Sequence, residues 1–439
     1  MYKFYFLNII RASSRICYFV LVSFLSMTLA SESIQYSGIS YTTYNKDIQE
    51  VFPNTLLLEK SLRQTLYSHL NQNSSLYPDL RLKESDSFKD GSYSIVIGLD
   101  HESVTTRNLE KFCSRIFRLG IQVILFNSQD QQVVSITPIS ERDPYLDPLI
   151  DGGCDSNNKK IELLRFAALY YGIEIQEQDY KNYIALNEDE MIELIKNKSI
   201  ESSSYIKEGN ILGMVIRQIL DTKLENIKNN NFFVGIHDVQ IGELAFEQMS
   251  GNNEFSKNLI FTDFFGDFQK ESYKVWAGQQ FSKWFSDTFE YPLIPYVKGK
   301  ALGSDISMKF ANGNEALNLR LPSLDFGFVI NVKGFKKVKL DESNLREAFA
   351  WAAFSSIEFH NVGIKKLLEI NLKNVQTSEV NKGYSVDDWQ NFNIAQNRIM
   401  KDYVTNLEKL DKNWLKKASK SSAKEFKKHS NLIKKNIRL

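Results

Sequence analysis

The chain has 439 residues, of which 43% are hydrophobic and 24% charged, and its formal net charge is +1. With only 8 prolines and no long Gly/Ser tract, this composition is not that of a largely disordered chain. No repeat period typical of a solenoid or propeller is present, and after the N-terminal segment no apolar run is long enough to predict a transmembrane span.

The first thirty residues have the pattern of a secretory signal peptide. Lys3, Arg11 and Arg15 are the charged residues of this segment, and an apolar run over 16–29 leads to small residues. A basic region, a short apolar region and a small-residue cleavage site together define such a signal. We therefore predict a cleaved signal peptide over 1–30 and a periplasmic or secreted protein. An uncleaved N-terminal anchor is the alternative.

Two cysteines remain after this segment, Cys113 and Cys154. In an oxidising compartment they can form a disulfide, which would close a loop of about 40 residues and stabilise the fold by roughly 4 kcal/mol. Two unpaired thiols are the other interpretation. The pairing is therefore a possibility that depends on the distance between the two residues in the fold.

Length and alternating strand and helix patterns predict an α/β (α+β) protein with more than one domain. Two mixed sheet-plus-helix domains are expected, joined by a helical connector and followed by a C-terminal helix with a basic tail. Two divergent copies of one fold are a hypothesis for the mixed domains. The predicted ranges are 31–150 and 231–380 for these domains, 151–230 for the connector, and 381–439 for the C-terminal part.

In the first domain the predicted order is β-α-β-α-β-β. Helices are expected after Asn54 and after Asn108, the second one ending at Gly120, and Asp143–Pro148 is expected to mark the domain boundary. The strands are predicted at 34–44, 93–99, 121–126 and 133–139, and the last two form a hairpin.

The later elements follow the same mixed style. A helical pattern over 158–229 leads to a strand near 232–241 and an amphipathic helix over 272–289. Asn344 is expected to cap a helix that contains Trp351, and Lys333–Gly334 is expected to form a turn between strands.

The C-terminus is strongly basic. Between Lys412 and Leu439 nine lysines and one arginine stand against the single acid Glu425, a net charge of +9, whereas 31–411 carries about −11. This tail is interpreted as a solvated end, as an interfacial helix with Trp414 on its apolar side, or as a docking segment for an acidic surface. The predicted binding residues are Lys416, Lys417, Lys420, Lys424, Lys427 and Lys428.

Catalytic signals are weak. Asp100 and His101 follow a predicted strand, and His237 and Asp238 lie within or at the end of another. A histidine beside a carboxylate at a strand end can act as a general base. No nucleophile elbow, phosphate loop or zinc spacing occurs, so neither a cofactor nor a metal is predicted.

These observations predict an exported, non-catalytic, envelope-associated binding or assembly/adaptor protein. Its expected partner is a protein or an anionic membrane surface, engaged through the C-terminal tail, and nucleic acid is not expected. An extracytoplasmic hydrolase whose site combines scattered carboxylates and one histidine is the alternative.

Overall fold

The computed structural model confirms the α/β (α+β) class, with helices packed on mixed sheets. It describes residues 34–41, 48–72, 75, 80–82, 93–109, 112–148, 158–172, 182–183, 185–201, 210–221, 233–259, 270–289, 291, 293–296, 305–309, 315–382, 386 and 388–437. The predicted signal peptide over 1–30 lies outside these residues. No helix in this part of the chain is long and apolar enough to cross a membrane.

The elements of the N-terminal half are, in order, β1 (Ile34–Tyr41), α1 (Ile48–Val51), α2 (Pro53–Gln72), β2 (Leu80–Leu82), β3 (Tyr93–Leu109), β4 (Phe112–Asn127), β5 (Val133–Pro148), α3 (Asn158–Tyr171), α4 (Glu188–Glu201) and α5 (Ile211–Asp221). The remaining elements are β6 (Val234–Ile241), α6 (Glu243–Met249), α7 (Glu254–Lys257), α8 (Lys270–Phe289), β7 (Asp305–Lys309), β8 (Glu315–Arg320), β9 (Phe326–Glu342), β10 (Arg346–Asn361), β11 (Lys365–Asn381), α9 (Asp388–Glu408), α10 (Lys412–Ala418) and α11 (Ala423–Ile437).

The first sheet has the strand order β5-β4-β3-β1-β7-β8, and β2 pairs in parallel with β1. Strand β1 is parallel to β3, whereas β3, β4 and β5 form an antiparallel meander. Apolar residues of α1 to α5 join those of the sheet in one buried cluster, which includes Leu62, Leu164 and Ile216. The helical pattern predicted over 158–229 is confirmed for α3, α4 and α5, whose apolar residues belong to the core of the first sheet.

A second, smaller cluster covers the other face of the first sheet. Val96 and Ile124 of the sheet belong to one buried cluster with Ile294 and Met308, which come from much later in the chain. Strand β7 pairs with β1 at Tyr41, and β8 pairs with β7, so both belong to this sheet. Strands β7 and β8 therefore belong to the first sheet, although β6 before them and β9 after them in the chain belong to the second. The domain boundaries proposed above stay a prediction.

The second sheet has the order β11-β10-β9-β6. Its inner face packs against α8 and α9 through large aromatic residues, among them Phe281, Phe328 and Trp351, all fully buried. Strand β6 runs parallel to β9, whereas β9, β10 and β11 are antiparallel. The opposite face carries the polar side chains His237, Asn331 and Glu358, which are exposed or partly exposed.

The helix predicted from Asn108 to Gly120 is wrong, because this stretch forms the end of β3 and much of β4. Arg115, Phe117 and Leu119 are buried at every second position, which is the period of a strand. The same apolar residues also fit a helical spacing, so the local pattern was ambiguous. Cross-strand pairing along the whole β3–β4 hairpin favours the extended form.

The helix predicted after Asn344 is also wrong, since that residue precedes β10. Trp351, Ala353, Ile357 and Phe359 all point into the core at even spacing. Nor does Gly334 form a turn, because β9 runs through it with a register shift beside Phe354. Long antiparallel neighbours on both sides hold β10 extended over its full length.

Asp143–Pro148 does not break the strand pattern, because β5 continues to Pro148, and the domain boundary predicted there stays a prediction. Proline cannot donate a ladder hydrogen bond and is therefore confined mainly to edge strands. Strand β5 is the edge of the first sheet, so Pro144 and Pro148 can be accommodated there.

Candidate functional site

The six predicted lysines lie on α10, on α11 and on the short connection between them. Each of these side chains is exposed. The opposite sides of the two helices are buried in the second core, where Leu415, Ala418, Phe426 and Ile433 are no more than 5% exposed. We call this set of exposed lysines the lysine face: Lys416, Lys417, Lys420, Lys424, Lys427 and Lys428.

Local capping interactions explain why the basic segment folds into two helices. The Asp411 carboxylate accepts hydrogen bonds from the backbone N–H groups of Asn413 and Trp414, at 2.7 and 3.2 Å, and so caps α10. At the start of α11, Ser422 and Glu425 form a reciprocal pair, with distances of 2.7 Å and 3.2 Å. Glu425, the single acid of the basic segment, therefore serves as a helix cap.

Buried polar contacts fix α11 against α9. The Tyr403 hydroxyl and Nε2 of His429 are 2.7 Å apart, and the Ser430 hydroxyl donates to the Leu407 carbonyl. The His429 ring also stacks on Phe426 with a centroid separation of 5.9 Å. Burial lowers the pKa of His429 to about 4. The inner side of α11 is thus a packed interface, and its outer side presents the lysines.

The lysine face carries positive charge that the described residues do not neutralise. Within the part of the chain that the structure describes, none of its six lysines forms an ion pair. Lys424, Lys427 and Lys428, together with Asn431, Leu432 and Lys435, line an open depression of about 420 Å³. Such a surface attracts anionic groups through charge and hydrogen bonding.

Two of the earlier interpretations of the tail do not fit this arrangement. Residues 412–437 are largely helical and packed, so they are not a solvated irregular end. An interfacial helix would need its apolar side free to enter a bilayer. Here Phe426 and Ile433 are already buried in protein, so the lysines are the part of the segment that can meet a partner.

The predicted catalytic residues lie on two different sheets. Asp100 and His101 fall inside β3 rather than after it, at a register shift, and their side chains lie outside the described part of the structure. His237 is exposed at a bulge in β6, and the neighbouring Asp238 accepts a hydrogen bond from Gln240 at 3.0 Å. The suggested proximity of His101 and His237 therefore stays a prediction.

Sequence reasoning missed the residue that His237 does approach. The rings of His237 and His360 have centroids 6.2 Å apart. Nε2 of His360 also lies 2.8 Å from Oε2 of Glu358 on the same strand. The sequence does not indicate that His360 is near His237, because only the pairing of β10 with β9 and of β9 with β6 brings the two together. The alternation of the polar residues Ser356, Glu358 and His360 with apolar residues is the sequence pattern that indicates a polar face on this strand.

The partly buried carboxylate of Glu102, beside the first core, is explained by the fold. Glu102 accepts four hydrogen bonds of 2.6–2.9 Å from the backbone and side chains of Asn54 and Thr55. These two residues open α2, so the carboxylate caps the positive end of the helix dipole. Burial raises the pKa of Glu102, while the hydrogen bonds oppose the rise. Because α2 begins at Pro53, Asn54 lies in the first turn of the helix, and Glu102 rather than Asn54 is the residue that caps it.

The described side chains contain no closed metal site of three or more ligands, and the side chains of both cysteines lie outside them. Among the described side chains, no group of three or more His, Cys, Asp or Glu residues is arranged to hold a metal ion. Cys113 lies in β4 rather than in a helix, and its side chain, like the whole of Cys154, is outside the described residues. The disulfide therefore stays a prediction.

No protein-family model matches the chain, and no curated protein matches it. Among solved structures, the chain is similar to the hypothetical protein CT253 from Chlamydia trachomatis, with 11% sequence identity. The match covers 40% of this chain and 98% of that chain, at a TM-score of 0.17. A TM-score of this size carries no argument about fold or function.

Proposed function

We propose that the protein is an exported, non-catalytic binding protein that attaches to an anionic membrane surface of the cell envelope through its lysine face. The observation that carries this proposal is the two-sided character of α10 and α11. Their apolar residues are used for packing, while six exposed lysines, without an ion pair to any residue that the structure describes, face outward. The protein therefore offers a rigid cationic surface that can bind headgroups without inserting into the bilayer.

The energetics of such attachment are modest for each residue and substantial for the set. A lysine close to an anionic leaflet contributes about 1 kcal/mol, and the attraction decays within a Debye length of about 10 Å at 0.1 M salt. Lys424, Lys427 and Lys428 lie within two turns of one helix, so they can reach one surface together. Binding should therefore be strong at low ionic strength and weak at high ionic strength.

Replacing both Lys427 and Lys428 by glutamine is expected to weaken binding to anionic phospholipid vesicles about thirtyfold. This factor corresponds to the loss of about 2 kcal/mol from two headgroup contacts. Vesicle sedimentation of the mature protein, with phosphatidylglycerol or with phosphatidylcholine alone, measures the effect at low and at high salt.

The control is the double variant Lys365→Gln/Lys373→Gln, which makes the same charge change at exposed positions of β11. It should bind anionic vesicles as the parent protein does. Equal binding to neutral and anionic vesicles, or equal loss in both double variants, would contradict attachment by the lysine face. Failure to bind vesicles, with retention of an acidic protein from the envelope, would favour a protein partner.

Export is tested separately by the N-terminus of the protein recovered from envelope fractions. Cleavage after Ala30 should give a chain that begins at Ser31, because a small residue precedes the predicted cut. N-terminal sequencing measures this directly, and the variant Ala30→Leu should remain uncleaved at that bond. A mature chain that retains Met1 would instead support the N-terminal anchor.

A further inference from the structure

Two histidines converge on the polar face of the second sheet, away from the lysine face. His237 lies on β6 and His360 on β10, with β9 between them. Neighbouring strands are about 4.8 Å apart, so side chains two strands apart start about 9.5 Å from each other. The ring centroids are only 6.2 Å apart, with an interplanar angle of 38°. The two rings therefore lean towards each other across the middle strand.

Gly327 makes this convergence possible. It is the direct partner of His360 on β9, and a Cβ atom at this position would lie 2.6 Å from Cβ of His237. Glycine therefore keeps β9 from placing a side chain of its own between the two rings. The register shift between Ile236 and Asp238 places His237 at a bulge, a feature that re-aims a side chain relative to regular pairing.

The Glu358 carboxylate fixes one of the two imidazoles. Its Oε2 lies 2.8 Å from Nε2 of His360, while its Oε1 accepts hydrogen bonds from Asn331 at 3.0 Å and from Lys366 at 3.4 Å. Metal-binding histidines commonly donate their second ring N–H to a carboxylate in this way, which orients the ring. With Nε2 turned to Glu358, the other nitrogen, Nδ1, is left for a ligand.

Both histidines are accessible from solvent. His237 is exposed, and the side chain of His360 is 22% exposed. We propose that His237 and His360 together bind one divalent transition-metal ion, with one imidazole nitrogen from each ring and water at the remaining positions. Imidazole ligands suit Zn²⁺, Cu²⁺ and Ni²⁺, whereas Mg²⁺ and Ca²⁺ prefer oxygen.

This site differs from the closed three- and four-residue sites of structural zinc. The described residues supply no third His, Cys, Asp or Glu arranged for coordination. A two-histidine site leaves several positions to water, so its affinity should be moderate and its ion exchangeable. The chain would then hold a metal at a surface where a donor group of a partner could complete the coordination.

Calorimetric titration of the mature protein with Zn²⁺ tests the proposal. One ion per chain is expected, and either His237→Gln or His360→Gln should weaken binding at least about tenfold. Glu358→Gln should weaken it about tenfold without removing a ligand. Thermal unfolding of each apo variant shows that the fold is retained, and Gln240→Ala on the exposed side of β6 is the matched control.

The spectrum of bound Cu²⁺ gives a second measurement, which would not change if the two histidines had only a structural role. The electron paramagnetic resonance spectrum with Cu²⁺ should show coupling to two imidazole nitrogens in the parent and to one in each single-histidine variant. Unchanged Zn²⁺ affinity in His237→Gln or in His360→Gln would overturn the proposal. An unchanged Cu²⁺ spectrum in these folded variants would do the same.

Discussion

Replacing Asp388 by alanine is expected to lower the free energy of unfolding by about 3–5 kcal/mol, because removal of one member of a buried ion pair leaves the other without its counter-charge. Asp388 is fully buried at the start of α9. Its Oδ1 accepts a hydrogen bond from Nε1 of Trp351 at 2.5 Å and lies 2.8 Å from Nζ of Lys337.

The surroundings of Lys337 explain why this pair is sensitive. Its Nζ lies 4.6 Å from the ring centroid of Phe349 and 5.7 Å from that of Trp351, so the cation is held between aromatic faces. Without the carboxylate, a half-buried ammonium and a buried indole N–H would both lose a partner. The three residues also join α9 to β9 and β10, so the loss would loosen the helix from the second sheet.

Urea denaturation followed by tryptophan fluorescence measures this loss. The control is Arg346→Ala, which removes an ion pair with Glu379 whose side chains are 66% and 64% exposed. An exposed pair of this kind contributes less than about 1 kcal/mol. If Asp388→Ala costs no more than Arg346→Ala, the buried contact with Lys337 and Trp351 does not stabilise the fold as argued.

The stability of the protein should fall as the pH decreases from about 6.5 to about 4, and His429 should account for about 3 kcal/mol of that fall. Burial lowers the pKa of His429 to about 4 from its ordinary value of 6.5. In this window the unfolded chain binds a proton that the folded chain excludes. The contribution is therefore fully present above pH 6.5 and is lost as the pH falls to 4.

Because other buried groups titrate in the same range, the test compares variants with the parent. Burial also lowers the pKa of His69, which adds to the fall, and raises the pKa of Glu102 and Glu162, which opposes it. The variant His429→Gln should show a smaller loss of unfolding free energy between pH 6.5 and pH 4 than the parent. Chemical denaturation at several pH values gives this slope.

Tyr403→Phe is the matched control for this experiment. It removes the hydroxyl that contacts Nε2 of His429 at 2.7 Å and leaves the histidine in place. The variant should be less stable at every pH but keep most of the pH dependence. A slope in His429→Gln that equals the slope of the parent would show that His429 is not the group that titrates.

Secondary structure was predicted correctly where the hydrophobic pattern was long and fitted only one period, that of a helix or that of a strand. The helix predicted at 272–289 is confirmed as α8, and the predicted hairpin between 121 and 139 is confirmed by β4 and β5. Prediction failed where apolar residues fitted both periods, as before Gly120 and after Asn344. In both places the deciding interactions are hydrogen bonds to neighbouring strands, which local spacing cannot supply.

The lysine face and the pair of His237 and His360 differ in how much of each can be predicted from the sequence. The lysines of α10 and α11 form a charge cluster in the sequence, and all six are exposed, as is usual for lysine side chains. Their rigidity was not, since it depends on the burial of Phe426 and on the contact of His429 with Tyr403. The approach of His237 to His360 could not be read from positions 123 residues apart in the chain.

The sequence by itself determined three local features of the chain: a signal-like N-terminus, alternating strand and helix patterns, and a basic C-terminal segment of charge +9. These are local properties, set by residue type and spacing. Only the tertiary structure decided which patterns became strands, which side of α11 faces water, and which histidine meets His237. Each of those outcomes depends on contacts between distant segments, whose free energy no short stretch of sequence contains.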